Sequence, residues 1–138
     1  MSGAISGSTT TAGSHRPEVF LVDDDIGFVE TLIPLLASAG FNVIAEFTYA
    51  AAHRYLSSHT PDLLVTDLRL RDGDGWTLAE YARTHQPTLP VVVVTGWSLI
   101  EERDEAHYGR IPVFLKPFDS DAFTDYLHLL LTGRRRAI

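Results

Sequence analysis

Four apolar runs in this chain each end on a polar residue capable of chemistry. VFLV (19–22) runs into Asp23, Asp24 and Asp25; LLVT (63–66) runs into Asp67; VVVV (91–94) runs into Thr95; VFL (113–115) runs into Lys116. Lys116 is the only lysine, against ten arginines. Carboxylates gathered in one crevice repel by about 4 kcal/mol per close pair at an effective dielectric of roughly 20, unless a cation or protons intervene. Oxygen donors without thiolate or imidazole favour a hard ion such as Mg²⁺, which keeps coordination positions for a phosphoryl group. A carboxylate beside such an ion can attack phosphorus and form an aspartyl phosphate. A hydroxyl (Thr95) and an ammonium (Lys116) opposite the metal would then hold the developing charge. A compact ammonium can follow one phosphoryl oxygen, whereas a guanidinium fork needs two acceptors in a plane. Taken alone, Asp23–Asp25 reads more readily as a solvated acidic turn capping the next helix. Asp67 at the end of a separate run is what favours a cluster.

These residues converge only if the elements carrying them do. From Pro17 onward, short apolar runs alternate with longer amphipathic ones, the pattern of a parallel sheet covered by helices on both faces. Five strands are expected at Val19–Val22, Asn42–Phe47, Asp62–Thr66, Val91–Val94 and Ile111–Leu115. Runs apolar at every position, such as VVVV, suit central strands. The first helix carries Val29, Leu32, Ile33 and Leu36 at helical spacing and closes at Gly40, with Pro34 removing one backbone hydrogen bond inside it. The last carries Phe123, Tyr126, Leu127, Leu130 and Leu131 and opens after Asp119 or Ser120. Shorter helices are expected over Tyr49–Ser57, Gly75–His85 and Ser98–His107. The fold class is therefore α/β, a doubly wound five-stranded parallel sheet. In the order 2-1-3-4-5, ligands bind where the winding reverses, at the carboxyl ends of strands one and three. There the acidic run would face Asp67, with Thr95 and Lys116 on the adjoining rim.

Composition narrows the choices. The 138 residues suit one domain, and the net charge of -7 argues against general nucleic-acid binding, for which only Arg134–Arg136 offers a basic cluster. With no cysteine there is no disulfide framework, and cytoplasm is the default compartment. The six histidines form neither an i, i+4 pair nor HExxH, so imidazole metal binding is not expected. Residues 1–16 are rich in Ser, Gly and Thr and are expected to be a tail, 17–132 the domain, and 133–138 a short basic tail. No signal peptide or membrane span is expected.

The motifs VDDD, TDLRLRDGDG, VVVVTG and FLKPF, in this order and spacing, resemble the receiver domain of two-component response regulators (CheY-like), over Glu18 to about Leu131. The resemblance implies that Asp67 is the phosphoacceptor and Asp24 a direct Mg²⁺ ligand. Asp23 would act on the metal through water, and the backbone carbonyl of Arg69 would be a third protein ligand. Thr95 would be the switch hydroxyl and Lys116 the phosphate-contacting lysine, with Lys116–Pro117 a candidate cis bond. Gly75 would be the glycine that follows the active-site loop. A histidine kinase or histidine phosphotransfer protein is the implied donor. A downstream protein target is implied on the face of the fourth helix, fifth strand and fifth helix. The sequence leaves a homodimer open, and equally a stand-alone regulator or a piece of a longer one. Val113 stands where the family often has an aromatic ring, and Arg71 where many members have proline. Trp97, two residues after Thr95, is expected to shield the phosphoryl group.

Two other functions compete. A haloacid-dehalogenase-type phosphatase needs DxDx[TV], and position 27 is Gly27. A receiver-shaped interaction module without phosphorylation would have lost an acid, the threonine or the lysine. A phosphate-binding loop GxxxxGK[ST] is absent, and the twelfth position of a calcium loop starting at Asp72 is Arg83.

Overall fold

The computed structural model describes residues 16–96, 101, 104 and 111–136. Five parallel strands form one sheet: β1 (Glu18–Val22), β2 (Asn42–Glu46), β3 (Leu63–Asp67), β4 (Val91–Gly96) and β5 (Val113–Lys116), in the order β2-β1-β3-β4-β5. This is the expected order 2-1-3-4-5. The described helices are α1 (Ile26–Ser38), α2 (Tyr49–Leu56), α3 (Gly75–His85) and α4 (Ser120–Arg136). Apart from residues 101 and 104, the helix expected over Ser98–His107 lies outside the described residues, as do residues 1–15.

Successive strand residues point to opposite faces, and the core follows that alternation. Phe20, Val22, Leu64, Val91 and Val93 pack against Ala52, Leu56, Leu78, Ala79 and Ala82 of α2 and α3. Val19, Leu21, Leu63, Val65, Val92 and Val94 pack against Val29, Leu32 and Leu36 of α1 and Phe123, Leu127 and Leu131 of α4. Both faces of β1, β3 and β4 are thus dry, which is why those strands carry unbroken apolar runs. The edge strand β2 is partly exposed, with Ile44 facing solvent.

Helix ends follow from local chemistry. Asp25, Thr48 and Asp74 cap α1, α2 and α3 by accepting the backbone N–H groups of Phe28, Ala51 and Thr77. Helix α1 closes on Gly40 at φ 104, where the Phe41 N–H reaches the Leu36 carbonyl and the Gly40 N–H reaches Ala37. That is the paired bonding of a left-handed helix stop, and it needs glycine. Pro34 lies on the exposed side of α1, so the Glu30 carbonyl it leaves unbonded can face water. Helix α4 runs through Gly133 to Arg136, over part of the segment expected to be a tail; Gly133 lacks the positive φ that would end it.

The register places the strand ends. Val22 lies opposite Thr66, Asp67 opposite Val94, and Gly96 opposite Lys116. Asp23, one residue past β1, therefore sits beside Asp67. A two-residue hairpin, Arg69–Leu70 with Gly73–Asp74, turns the chain back toward the sheet. Gly75 then donates its N–H to the Leu68 carbonyl at 2.8 Å, and a Cβ on it would lie 2.5 Å from the Asp67 carbonyl oxygen. Gly75→Ala should therefore cost about 1–3 kcal/mol of stability, as overpacking does. Urea denaturation measures it, and an unchanged midpoint would mean that the loop yields freely.

Candidate functional site

The parallel strands deliver their last residues to one end of the sheet. Asp23, Asp24 and Asp67 bring carboxylate oxygens within 4.8 Å of one another. Asp23 and Asp67 are buried and Asp24 is half-buried. Lys116 enters from β5 and donates to Asp23 Oδ2 at 2.7 Å, with Asp67 Oδ2 at 3.7 Å. Thr95 is fully buried in β4, and its hydroxyl has no hydrogen-bond partner among the described residues; nor has Asp67 Oδ1. The Lys116–Pro117 bond is cis, as the resemblance implied. Thus three acids and the lysine meet, and Thr95 occupies the neighbouring strand at the same end.

Each carboxylate is oriented by the backbone. Asp23 Oδ1 accepts the Asp25 N–H at 2.9 Å, and Asp24 Oδ2 accepts the Arg71 N–H at 3.1 Å. The second bond needs an amide at position 71, which a proline would lack. Burial pushes the Asp67 carboxyl up to about 7, and the Asp23 charge pushes the same way; Lys116 and the Leu68 N–H pull it back. The three acids are an oxygen-only donor set, and Asp67 Oδ1 is a buried acceptor without a donor among the described residues, so the residues fit a hard divalent cation.

Arg69 sends its side chain to a second site. Its Nη2 lies 2.8 Å from both oxygens of Asp104, which is fully buried. Asp104 also accepts the Trp76 indole N–H at 2.6 Å and the Glu101 N–H at 2.8 Å. Burial alone would raise the Asp104 carboxyl, but those donors and the guanidinium hold it below the ordinary carboxylate range. Asp72 ties the same loop to α2 by accepting the N–H groups of Tyr49 and Ala50. The chain from Arg69 to Trp76 is therefore anchored at Asp24, at the start of α2 and at Asp104.

The sequence did not point to Asp104, Trp76, Asp72 or Phe28. A buried indole needs an acceptor, so Trp76 in the first turn of a helix was a signal, but nothing marked Asp104 among its charged neighbours. Trp97 lies outside the described residues.

Two outcomes follow from these electrostatics. The Asp67 carboxyl binds its proton more tightly folded than unfolded, so between pH 3.8 and about 7 the native state carries more protons and stability falls as pH rises. With divalent cations chelated, Asp67→Asn should remove that fall and be about 1–3 kcal/mol more stable than the parent at pH 8, measured by denaturation at several pH values. Asp104→Ala leaves a largely buried guanidinium and the Trp76 indole without their shared acceptor. It should cost about 2–4 kcal/mol in the same assay.

Known proteins bear on this geometry. A family model described as the response regulator receiver domain matches residues 19–128. The transcriptional regulatory protein GlrR of Escherichia coli K12 is 35% identical over 111 residues, 79% of this chain and 25% of that protein. The photosynthetic apparatus regulatory protein RegA of Rhodobacter capsulatus is 33% identical over 116 residues, 83% of this chain and 62% of that protein. This chain thus spans a quarter of GlrR and under two thirds of RegA. The structure of a response regulator receiver protein from Sinorhizobium medicae WSM419 matches with a TM-score of 0.77 at 30% identity, covering 87% of this chain and 98% of that one. GlrR is named for transcriptional regulation, so the expected lack of a nucleic-acid partner does not carry over to such relatives; it rests on the charge of the present sequence alone. No described helix is long and apolar enough to cross a membrane. A match that starts in the first strand and ends in the last helix leads to one conclusion: this chain belongs to the receiver domain family of response regulators.

Proposed function

We propose that this receiver accepts a phosphoryl group on Asp67 from the phosphohistidine of a histidine kinase or histidine phosphotransfer protein and thereby changes what it binds. The observation that carries this is the approach of three carboxylates to within 4.8 Å, with the one lysine ammonium between two of them. In the transfer, an Asp67 carboxylate oxygen forms a bond to phosphorus as the phosphorus–nitrogen bond to the donor histidine breaks, and the leaving imidazole takes up a proton. Asp23, Asp24 and Asp67, with the Arg69 carbonyl, would hold Mg²⁺. That ion supplies charge neutralisation for the carboxylates and the transferred group.

The chain's own groups do the rest. Lys116 already bridges Asp23 and Asp67, so its ammonium needs little displacement to reach an oxygen of a phosphoryl group on Asp67. The Thr95 hydroxyl, buried without a partner among the described residues, can donate to an acceptor on the same rim. Its movement toward the phosphoryl group would be the switch. A downstream protein would read the change on the face of the expected fourth helix, β5 and the last helix, α4, in the cytoplasm. Gly27 weighs against the phosphatase, and retention of every acid, the threonine and the lysine weighs against an inert module.

Mass spectrometry after incubation with a small acyl-phosphate donor and Mg²⁺ should find one added phosphoryl group, absent in Asp67→Asn. Steady turnover of phosphomonoesters would favour a phosphatase, and no reaction would favour a module that never carries phosphate.

A further inference from the structure

The ammonium of Lys116 has a third neighbour besides Asp23 and Asp67. The ring of Phe28, in the first turn of α1, lies with its centroid 4.2 Å from Lys116 Nζ. A closed circuit joins the two. Lys116 donates to Asp23 Oδ2, Asp23 Oδ1 accepts the Asp25 N–H, and Asp25 Oδ1 accepts the Phe28 N–H at 3.1 Å. The α1 cap thus sets the first turn, the first turn sets the ring, and the ring backs the ammonium. Phe28 also meets the ring of Phe118 edge-on at 5.9 Å. It is half-buried at the edge of the α1 stripe, one turn before Leu32, and packs against the cluster of Val29, Leu32 and Leu36.

We infer that Phe28 is the positioning residue for Lys116: its π face holds the ammonium between Asp23 and Asp67, poised for a phosphoryl oxygen. The inference rests on the phosphoacceptor function proposed above. The ring face attracts a cation electrostatically, and it covers one side of the ammonium from water, which strengthens the attraction of the other side for anions. A flexible four-carbon stem would otherwise let the charge wander. At position 116 the ammonium presents one compact charge to the ring and to both carboxylates.

Because Lys116 is the only lysine, ¹³Cε/¹⁵Nζ-labelled lysine yields a single side-chain signal. The Lys116 Hε protons should be shifted upfield by the Phe28 ring in the parent protein. The shift should vanish in Phe28→Leu, which keeps the apolar contact with Phe118, and persist in Phe28→Tyr. Phosphorylation by a small acyl phosphate should slow by about three- to tenfold in Phe28→Leu, and Phe28→Tyr should restore it. An unshifted Lys116 signal in the parent protein overturns the inference without any variant, and so does an undiminished rate in folded Phe28→Leu. If the parent protein takes up no phosphoryl group, the receiver chemistry fails instead, and the ring shift still decides whether Phe28 holds Lys116.

Discussion

Crowding of like charge at the carboxyl ends of β1 and β3 is the constraint around which this molecule is arranged. Asp23, Asp24 and Asp67 together carry -3 when ionised, and Lys116 returns +1, so the pocket holds -2. Burial of Asp23 and Asp67 makes that imbalance more costly than it would be in water. Without a further cation, the protein relieves it by tightening the grip of Asp67 on a proton. A divalent ion relieves it more fully, and a phosphoryl group then brings new negative charge that the ion, the ammonium and a hydroxyl can share. Chemistry and folding therefore pull in opposite directions at the same three side chains.

The rest of the fold supplies the stability that permits such a site. Both faces of the three central strands are covered, and α1 and α3 are capped by aspartates that lie within the site's own loops. Asp25 is at once the α1 cap and a backbone donor to Asp23. Asp74 caps α3 from the hairpin that begins at Arg69. Local helix chemistry and site geometry are consequently inseparable: a shift in either cap would move a carboxylate.

Much of this was legible in the residues. Unbroken apolar runs named the central strands within a residue or two, because a strand dry on both faces has no room for alternation. Parallel pairing then required the residues ending those runs to share one edge, which placed Asp23, Asp67, Thr95 and Lys116 together without any long-range information. Gly40 announced the end of α1 because a left-handed stop tolerates little else. What stayed hidden depends on side chains meeting across distant sequence. Asp104 finds Arg69 at a separation of 35 residues, and within EERDEA it looks no different from its acidic neighbours. Asp72 reaches back to the start of α2, and the Arg71 amide reaches Asp24. Phe28 directly precedes the stripe of Val29, Leu32, Ile33 and Leu36, so periodicity alone marks it as a flank.

Isothermal calorimetry with Mg²⁺ tests most directly whether charge crowding governs this pocket. One ion should bind per chain, more weakly as pH falls below about 7 and Asp67 keeps its proton, and Asp24→Asn should abolish the heat. No binding by the unaltered chain at neutral pH, or equal binding by Asp24→Asn, would contradict the account.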